Sequence, residues 1–158
     1  MNQYIFKTHL ANIILVEKNN YITELSFTEK PITKSNNSLL LNAEKQVHEY
    51  FSRTRKSFDL PLNPSGTDFQ KKIWKYLASI KYSETTYYST IASELGSSPR
   101  AVGNACGKNK CLIIIPCHRV VSKNPTSGGF SSFEGLIHKN TLLSLELGAE
   151  YIENDISN

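Results

Sequence analysis

The sequence predicts an α+β protein in which a small antiparallel sheet and one helix precede a mostly helical region. Short β-prone runs alternate with turn residues over the first forty positions, and the pattern then changes to helical periodicity. A stretch rich in Pro, Gly and Ser separates two helical regions. The 158 residues, 39% of them hydrophobic, are enough for one compact domain or for two small ones.

Residues 1–60 are predicted to form a domain of three strands and a helix. The strands are expected over residues 4–7, 11–17 and 21–27, as an antiparallel meander. Over residues 38–58, one helical face carries Leu39, Leu40, Ala43, Val47, Tyr50 and Phe51. Either Ser38 or Asn42 is the expected cap of this helix. Residues 61–66 contain two prolines and one glycine, and we predict a linker there.

Residues 67–150 are predicted to form a second, mostly helical domain, followed by a polar tail over 151–158. The buried side of a first helix, over 67–80, is expected at Phe69, Ile73, Trp74 and Leu77. A second helix covers 88–95 and stops at Gly96, and a third begins at Pro99 after a serine cap at Ser97 or Ser98. Two short helices joined by a tight turn that contains glycine are typical of a helix-turn-helix. A last helix is expected over 135–147.

Charge and cysteine content limit the class of protein. Lys and Arg exceed Asp and Glu by 18 to 14, and this formal charge of +4 suits a polyanionic partner without demonstrating one. Cys106, Cys111 and Cys117 are an odd number, which favours reduced thiols and a cytoplasmic location. We expect neither a signal peptide nor a membrane span, because no run approaches the roughly 20 apolar residues that a bilayer requires.

Ionisable residues interrupt an apolar region at Cys117-His118-Arg119, which follows Leu112 to Ile115 and Pro116. The apolar run is expected to be buried. A buried thiol alone is inert, but a neighbouring imidazole can accept its proton and leave the thiolate that attacks electrophilic carbon. Adjacent residues of an extended chain point to opposite faces, so spacing alone leaves a structural cysteine beside a surface histidine equally plausible.

Several segments resemble those of one DNA-repair family. The run from Pro116 to Val120 resembles the active-site signature of the O6-alkylguanine-DNA alkyltransferases, also called methylated-DNA–protein-cysteine methyltransferases. Residues 66–74 resemble the family's opening helix, 100–105 its recognition helix and 128–131 its substrate loop, in the family's order. The resemblance implies a ribonuclease-H-like N-terminal domain and a winged-helix-like DNA-binding domain that contains the helix-turn-helix.

The resemblance implies direct, irreversible and stoichiometric DNA repair. A monomer would bind the minor groove of double-stranded DNA, flip out the damaged nucleotide and move the alkyl group from O6-alkylguanine to Cys117 as a suicide enzyme. O4-alkylthymine is a further candidate substrate. No cofactor, metal or membrane is implied.

The resemblance also implies roles for individual residues. Cys117 would be the nucleophile, His118 its base through a bridging water, and Glu146 the carboxylate that orients the histidine. Asn109 would brace the turn before the active-site strand, and Tyr88 would donate to N3 of the guanine. Tyr87 is a rival for the same role.

Binding roles follow from the same resemblance. Substrate contacts are expected at Trp74, Val120, Phe130 and Ser131, and DNA contacts at Arg100, Ala101, Gly103 and Arg119. Arg100 would fill the gap that the flipped nucleotide leaves in the base stack.

Three alternatives belong to other classes. A non-catalytic alkyl-damage-binding protein of the alkyltransferase-like type would share the fold, but such proteins lack the acceptor cysteine that stands here at Cys117. A helix-turn-helix transcription regulator would read the major groove, and the helix from Pro99 offers few side chains for base readout. A zinc site at Cys106, Cys111, Cys117 and His118 is disfavoured, because the spacing matches no common zinc motif and the metal would occupy the nucleophile.

Overall fold

The computed structural model describes residues 1–123 and 133–148, and it has the α+β architecture that the sequence predicts. The chain forms two compact units, one made of residues 1–65 with 110–114 and the other of residues 66–109 with the described residues from 115 onward. The segment 110–114 therefore belongs to the first unit, whereas the predicted domain boundary placed it in the second. None of the described helices is long and apolar enough to cross a membrane.

The first unit is an antiparallel meander with one helix packed on it. Strand β1 (Asn2–Lys7) pairs with β2 (Asn12–Lys18), and β2 pairs with β3 (Tyr21–Thr28). Helix α1 (Ser38–Phe51) contacts β2 and β3. This order of strands and helix agrees with the sequence prediction. The ribonuclease-H-like description of the unit stays a prediction.

Helix α1 differs from its prediction at both ends. Its cap is Asn37, whose side-chain oxygen accepts the N–H of Leu40 at 3.0 Å, and not Ser38 or Asn42. The helix stops at residue 51 instead of 58, and Arg53 then adopts the left-handed conformation with φ 65°.

Residues 110–114 add a short parallel bridge to β3. The N–H of Leu25 donates to the carbonyl of Lys110 at 2.8 Å, and the N–H of Leu112 donates back to Leu25 at 2.9 Å. Ile113, with φ 72°, then redirects the chain. The predicted burial of the apolar run holds for Ile113 and Ile115. Leu112 and Ile114 are only half-buried.

The second unit contains four helices, α2 (Asp68–Ala78), α3 (Tyr88–Leu95), α4 (Pro99–Gly107) and α5 (Phe133–Leu147). A capping box starts α2, because Thr67 and Gln70 exchange backbone-to-side-chain hydrogen bonds of 3.0 and 3.1 Å. Gly96 ends α3 with φ 64°, and Ser98 caps α4. The local signals at this corner therefore predicted the helix-turn-helix correctly.

Trp74 joins α2 to α4. Its ring is 3% exposed, and its indole N–H donates to the carbonyl of Ala105 at 2.9 Å. Gly66 lies directly against the ring, where an added Cβ would stand 2.6 Å from the indole. Phe69 is 38% exposed, contrary to its prediction: it shares a helical face with Ile73 but is only the second residue of α2.

A two-stranded parallel pair links the helices to the cysteine turn. Strand β4 (Thr86–Tyr87) pairs with β5 (Val120–Val121). Because β4 runs directly into α3 and β5 directly follows Cys117–Arg119, the pairing brings the start of α3 to the Cys-His-Arg turn. The residues of the predicted chemical centre therefore lie within the second unit.

Candidate active site

Cys117, His118 and Arg119 form a single turn of 3-10 helix. The N–H of Arg119 donates to the carbonyl of Pro116 at 3.0 Å, and the N–H of Val120 closes the turn on Cys117. Three residues per turn send three successive side chains in three directions. All three are buried, with exposures of 3%, 1% and 6%, so each meets a different part of the interior.

The carboxylate of Glu146, near the end of α5, collects four N–H donors. Oε1 accepts from Nε of Arg119 at 2.9 Å and from the backbone N–H of Ser83 at 3.1 Å. Oε2 accepts from Nη2 of Arg119 at 3.1 Å and from Nε2 of His118 at 2.6 Å. A carboxylate can only accept, so the proton of this last pair belongs to His118 Nε2.

This arrangement fixes both the tautomer and the charge of His118. With the proton on Nε2, the buried Nδ1 is the basic atom of the ring. Burial lowers the pKa of His118 below its ordinary value; the nearby Glu146 raises it, and the positive charges of Arg119 and Lys139 lower it further. His118 is therefore neutral at neutral pH, which is the form that a general base requires.

Arg119 belongs to this buried network and not to the surface. Besides its two bonds to Glu146, its Nη1 donates to the carbonyl of Ile80 at 2.6 Å, and its guanidinium lies 5.8 Å from the centre of the Tyr82 ring. A side chain held in this way cannot also reach a phosphate. The predicted DNA contact of Arg119 does not fit this placement, and we assign the residue to fixing the Glu146 carboxylate.

The sulfur of Cys117 is enclosed by protein. Burial raises the pKa of Cys117, while a hydrogen bond from the Asn109 side chain and the positive charge of Lys139 lower it. The Asn109 amide also donates to the carbonyl of Ile115 at 2.7 Å. Asn109 therefore connects the two sides of the 110–114 segment and contacts the sulfur, a geometry that suits the bracing role expected of it.

The two candidate tyrosines differ sharply in burial. Tyr87 is 42% exposed, and the ammonium of Lys123 lies 5.7 Å from its ring centre. Tyr88, the first residue of α3, is 6% exposed, and its hydroxyl lies 3.5 Å from Nζ of Lys139. Burial therefore favours Tyr88 over Tyr87 for the role that the resemblance implies, and that role stays a prediction.

Lys139 is a site residue that the sequence analysis missed. It is 1% exposed on α5, and its ammonium lies 5.5 Å from the centre of the Tyr88 ring. Lysines are almost always exposed, which is why it drew no attention. Its spacing from Leu142, Leu143 and Glu146 is that of one helical face, and all four are buried. That periodicity is the signal that would have found it.

The predicted DNA-binding residues on α4 lie toward solvent. Arg100 is exposed at the second position of the helix, and Ala101 and Gly103 are half-buried. Asn104, which was not predicted, is exposed one turn after Arg100. This side of α4 therefore presents small or polar groups and one cation.

The residues predicted to contact the substrate differ in where they lie. Val120 is wholly buried in β5, whereas Phe130 and Ser131 lie outside the described residues. Trp74 is enclosed between helices, so we assign it to holding α4 in place instead of touching a base. Within residues 1–123 and 133–148, no three His, Cys, Asp or Glu side chains are grouped so as to hold a metal ion.

Comparison with known proteins places this geometry in a family. The family model for the DNA-binding domain of 6-O-methylguanine DNA methyltransferase matches residues 68–148. The constitutive methylated-DNA–protein-cysteine methyltransferase of Bacillus subtilis is 36% identical over 159 residues, which cover 92% of this chain and 96% of the relative. The crystal structure of the Mycobacterium tuberculosis O6-methylguanine methyltransferase is 30% identical and has a TM-score of 0.81. The match covers 99% of this chain and 98% of the Mycobacterium chain. A structure of OGT from the same organism in complex with DNA is 31% identical, has a TM-score of 0.78 and covers 94% of both chains. The chain therefore belongs to the 6-O-methylguanine DNA methyltransferase family.

Proposed function

We propose that this protein repairs DNA by moving a methyl or other alkyl group from O6 of guanine to the sulfur of Cys117, once and irreversibly. The observation that carries the proposal is the shared turn of Cys117 and His118, in which Glu146 orients the histidine through a 2.6 Å hydrogen bond. The relatives that match along most of the chain are named as methyltransferases. The non-catalytic alternative is therefore not favoured, and Cys117 itself argues against it.

The groups of the site account for each proton and bond of this reaction. Nδ1 of neutral His118 accepts the Cys117 proton through a bridging water, and Glu146 stabilises the imidazolium that results. The sulfur then attacks the alkyl carbon, a C–S bond forms, and the C–O6 bond breaks. The electron pair of that bond remains on the purine, where a hydrogen bond from Tyr88 to N3 stabilises it. The proton that His118 took from Cys117 then returns through water to the purine, which leaves neutral guanine and neutral His118. The thioether that forms is not readily hydrolysed, so no turnover follows.

The exposed side of α4 supplies the surface for DNA. Small residues such as Ala101 and Gly103 permit close approach to the minor groove, and Arg100 enters the base stack when the damaged nucleotide leaves it. Cys117 is almost inaccessible to solvent, so an alkyl group inside a duplex reaches it only after flipping. The proposed contacts of the flipped base are Val120 and, outside the described residues, Phe130 and Ser131.

All of the proposed catalytic groups come from one chain, which supports action as a monomer. The three cysteines are free thiols, and this fits a reducing compartment such as the cytoplasm.

Mass spectrometry of the reaction products tests the proposal. Protein is mixed with an equal amount of a duplex that contains one O6-methylguanine, and intact protein, peptides and DNA are weighed. We expect one added methyl group, located on the Cys117 peptide, and an equal amount of restored guanine. Cys117→Ser should bind the duplex but gain no mass. Tight binding by the unaltered protein without methylation of Cys117 would refute the proposal.

A further inference from the structure

Ser83 has a left-handed backbone conformation, with φ 68°, although it is not a glycine. This conformation is uncommon for residues that carry a side chain, and it persists where the surrounding contacts favour it. Ser83 is exposed and lies in a short turn between α2 and β4, in which the N–H of Glu84 donates to the carbonyl of Lys81 at 3.0 Å. Contacts that offset the backbone strain are therefore expected at Ser83.

Both hydrogen-bond donors of Ser83 bind Glu146, which lies 63 positions later in the chain. The backbone N–H donates to Oε1 of the carboxylate at 3.1 Å, and the hydroxyl donates to the backbone carbonyl at 2.8 Å. His118 and Arg119 bind the carboxylate, whereas Ser83 binds the carboxylate and the backbone together. Glu146 is thereby held at both of its ends.

The carbonyl that Ser83 binds belongs to the last turn of α5, which ends at Leu147. The last four carbonyls of a helix have no partner within the helix, and the ends of helices fray. The N–H of Gly148 donates to the carbonyl of Ser144 at 3.0 Å, and the hydroxyl of Ser83 satisfies that of Glu146. Ser83 therefore caps the helical turn that carries the carboxylate.

The residues just before Ser83 hold the other member of the buried ion pair. The carbonyl of Ile80 accepts Nη1 of Arg119 at 2.6 Å, and the ring of Tyr82 lies 5.8 Å from the guanidinium. Arg119 restrains the carboxylate of Glu146 through its own long side chain. Ser83 restrains the helix end from which that carboxylate projects, so the two residues fix different parts of Glu146.

We propose that Ser83 is a positioning residue of the transfer reaction, which caps the last turn of α5 and so keeps the Glu146 carboxylate directed at Nε2 of His118. This inference rests on the proposed function. Ser83 acts on the sulfur of Cys117 through Glu146 and His118. Displacement of the carboxylate would weaken both the orientation of the imidazole and the stabilisation of the imidazolium that forms during transfer.

A purely structural role for Ser83 predicts a different pattern among variants. Ser83→Gly removes the hydroxyl but relieves the left-handed strain, whereas Ser83→Thr keeps the hydroxyl but adds a branched side chain that this conformation disfavours. If residue 83 served folding alone, all folded variants would react at the same rate. The positioning role predicts that Ser83→Thr reacts almost normally despite lower stability, and that Ser83→Gly reacts more slowly at little-changed stability.

The first test observes His118 directly, without DNA. In full-length protein with isotopically labelled histidine, the buried Nε2 proton, held at 2.6 Å from Glu146, should give a separate downfield proton resonance that is absent in His118→Asn. Ser83→Ala and Ser83→Gly should move this resonance upfield, and Ser83→Thr should leave it in place. Ser79→Ala is the matched control, because it removes a serine hydroxyl that donates to the carbonyl of Tyr76. Since Ser83 is exposed, its variants should fold.

The second test measures single-turnover methyl transfer from the O6-methylguanine duplex across a pH series. Ser83→Ala and Ser83→Gly should slow transfer by about three- to tenfold, the effect expected for the loss of one hydrogen bond. Ser83→Thr and Ser79→Ala should react at close to the rate of the unaltered protein.

The pH profile separates positioning from a general loss of active protein. Burial lowers the pKa of His118 and Glu146 raises it, while the charges of Arg119 and Lys139 lower it further. A less firmly held Glu146 leaves a lower pKa, so the acid limb of the transfer profile should move to lower pH in Ser83→Gly. Loss of folded protein would reduce the rate without moving this limb.

An unchanged His118 resonance together with unchanged transfer rates in both Ser83→Ala and Ser83→Gly would overturn the inference. Equal shifts of the resonance in Ser79→Ala and Ser83→Ala would also overturn it. If the unaltered protein fails to methylate Cys117 but the resonance shifts in Ser83→Gly, the proposed function fails while the effect of Ser83 on Glu146 and His118 stands.

Discussion

Glu146 and Arg119 are joined through both oxygens of the carboxylate, at 2.9 and 3.1 Å, and the same carboxylate holds His118 at 2.6 Å. The bidentate pair fixes the plane of the carboxylate, and this in turn fixes the direction of the imidazole. The third bond of Arg119, to the carbonyl of Ile80, anchors the pair to the segment after α2. Geometry at the nucleophile thus depends on an arginine that contacts neither the sulfur nor, as we propose, the DNA.

Replacing Arg119 should therefore affect both folding and reaction. Arg119→Met leaves Glu146 buried without its main partner, and we expect a loss of about 3–5 kcal/mol in the free energy of unfolding, measured by urea denaturation. Arg119→Lys keeps the charge but cannot bind both oxygens, so it should recover only part of the loss. Arg55→Met breaks the more exposed pair with Glu49 and should change stability by less than about 1 kcal/mol. Equal effects at positions 119 and 55 would contradict this account.

The lowered pKa of His118 makes stability depend on pH. Its pKa in the folded protein lies below the value of about 6.5 in the unfolded chain, so the unfolded state binds the proton more readily. The contribution of neutral His118 to the free energy of unfolding is complete above about pH 6.5 and is lost as the pH falls toward the folded-state pKa. Urea denaturation between about pH 5 and 8 should show this loss on the acid side, and His118→Asn should reduce it. His48→Asn, at a largely exposed histidine, is the control. A slope of stability on pH that is the same in both variants would count against this assignment.

Local signals in the sequence predicted the helix-turn-helix because each was complete within a few residues. Gly96 supplies a left-handed stop and Ser98 a cap. The Cys-His-Arg motif was likewise identified from contiguous residues, although the 3-10 turn that it forms was not predicted. These features need no knowledge of distant parts of the chain.

The features that the sequence did not reveal depend on contacts between distant residues. The segment 110–114 bonds to Leu25, some eighty-five positions earlier, and no local pattern encodes that partner. Lys139 is buried where it meets Tyr88, whereas the general preference of charged side chains for water pointed outward. The bonds between Arg119 and Glu146 likewise join residues that are far apart in the chain. Residue type alone therefore overlooked Lys139.

The contact between Gly66 and Trp74 predicts that a larger side chain at position 66 lowers the stability of the second unit. An alanine Cβ at position 66 would meet the indole at 2.6 Å, and the ring is held by its bond to Ala105, so it cannot shift freely. We expect Gly66→Ala to lower the free energy of unfolding by about 1–3 kcal/mol. Gly107→Ala, in α4 where an added Cβ meets nothing within 4 Å, should be neutral or stabilising by up to about 1 kcal/mol. Equal stability of the two variants would show that the ring moves aside.

Arg100 should increase the rate of methyl transfer mainly where a base stack has to be opened. Extruding a nucleotide from a duplex costs a few kcal/mol, and an inserted side chain offsets part of that cost. Arg100→Ala should therefore slow methyl transfer from duplex DNA by at least about tenfold, equivalent to roughly 1.4 kcal/mol. It should change transfer from a single-stranded oligonucleotide much less, because no partner strand holds the base in place. Single-turnover rates on the two substrates give the ratio directly, with Asn104→Ala as a second exposed variant of the same helix. Equal slowing on duplex and single strand would instead assign Arg100 to general phosphate binding, in which case its effect should diminish as salt is added.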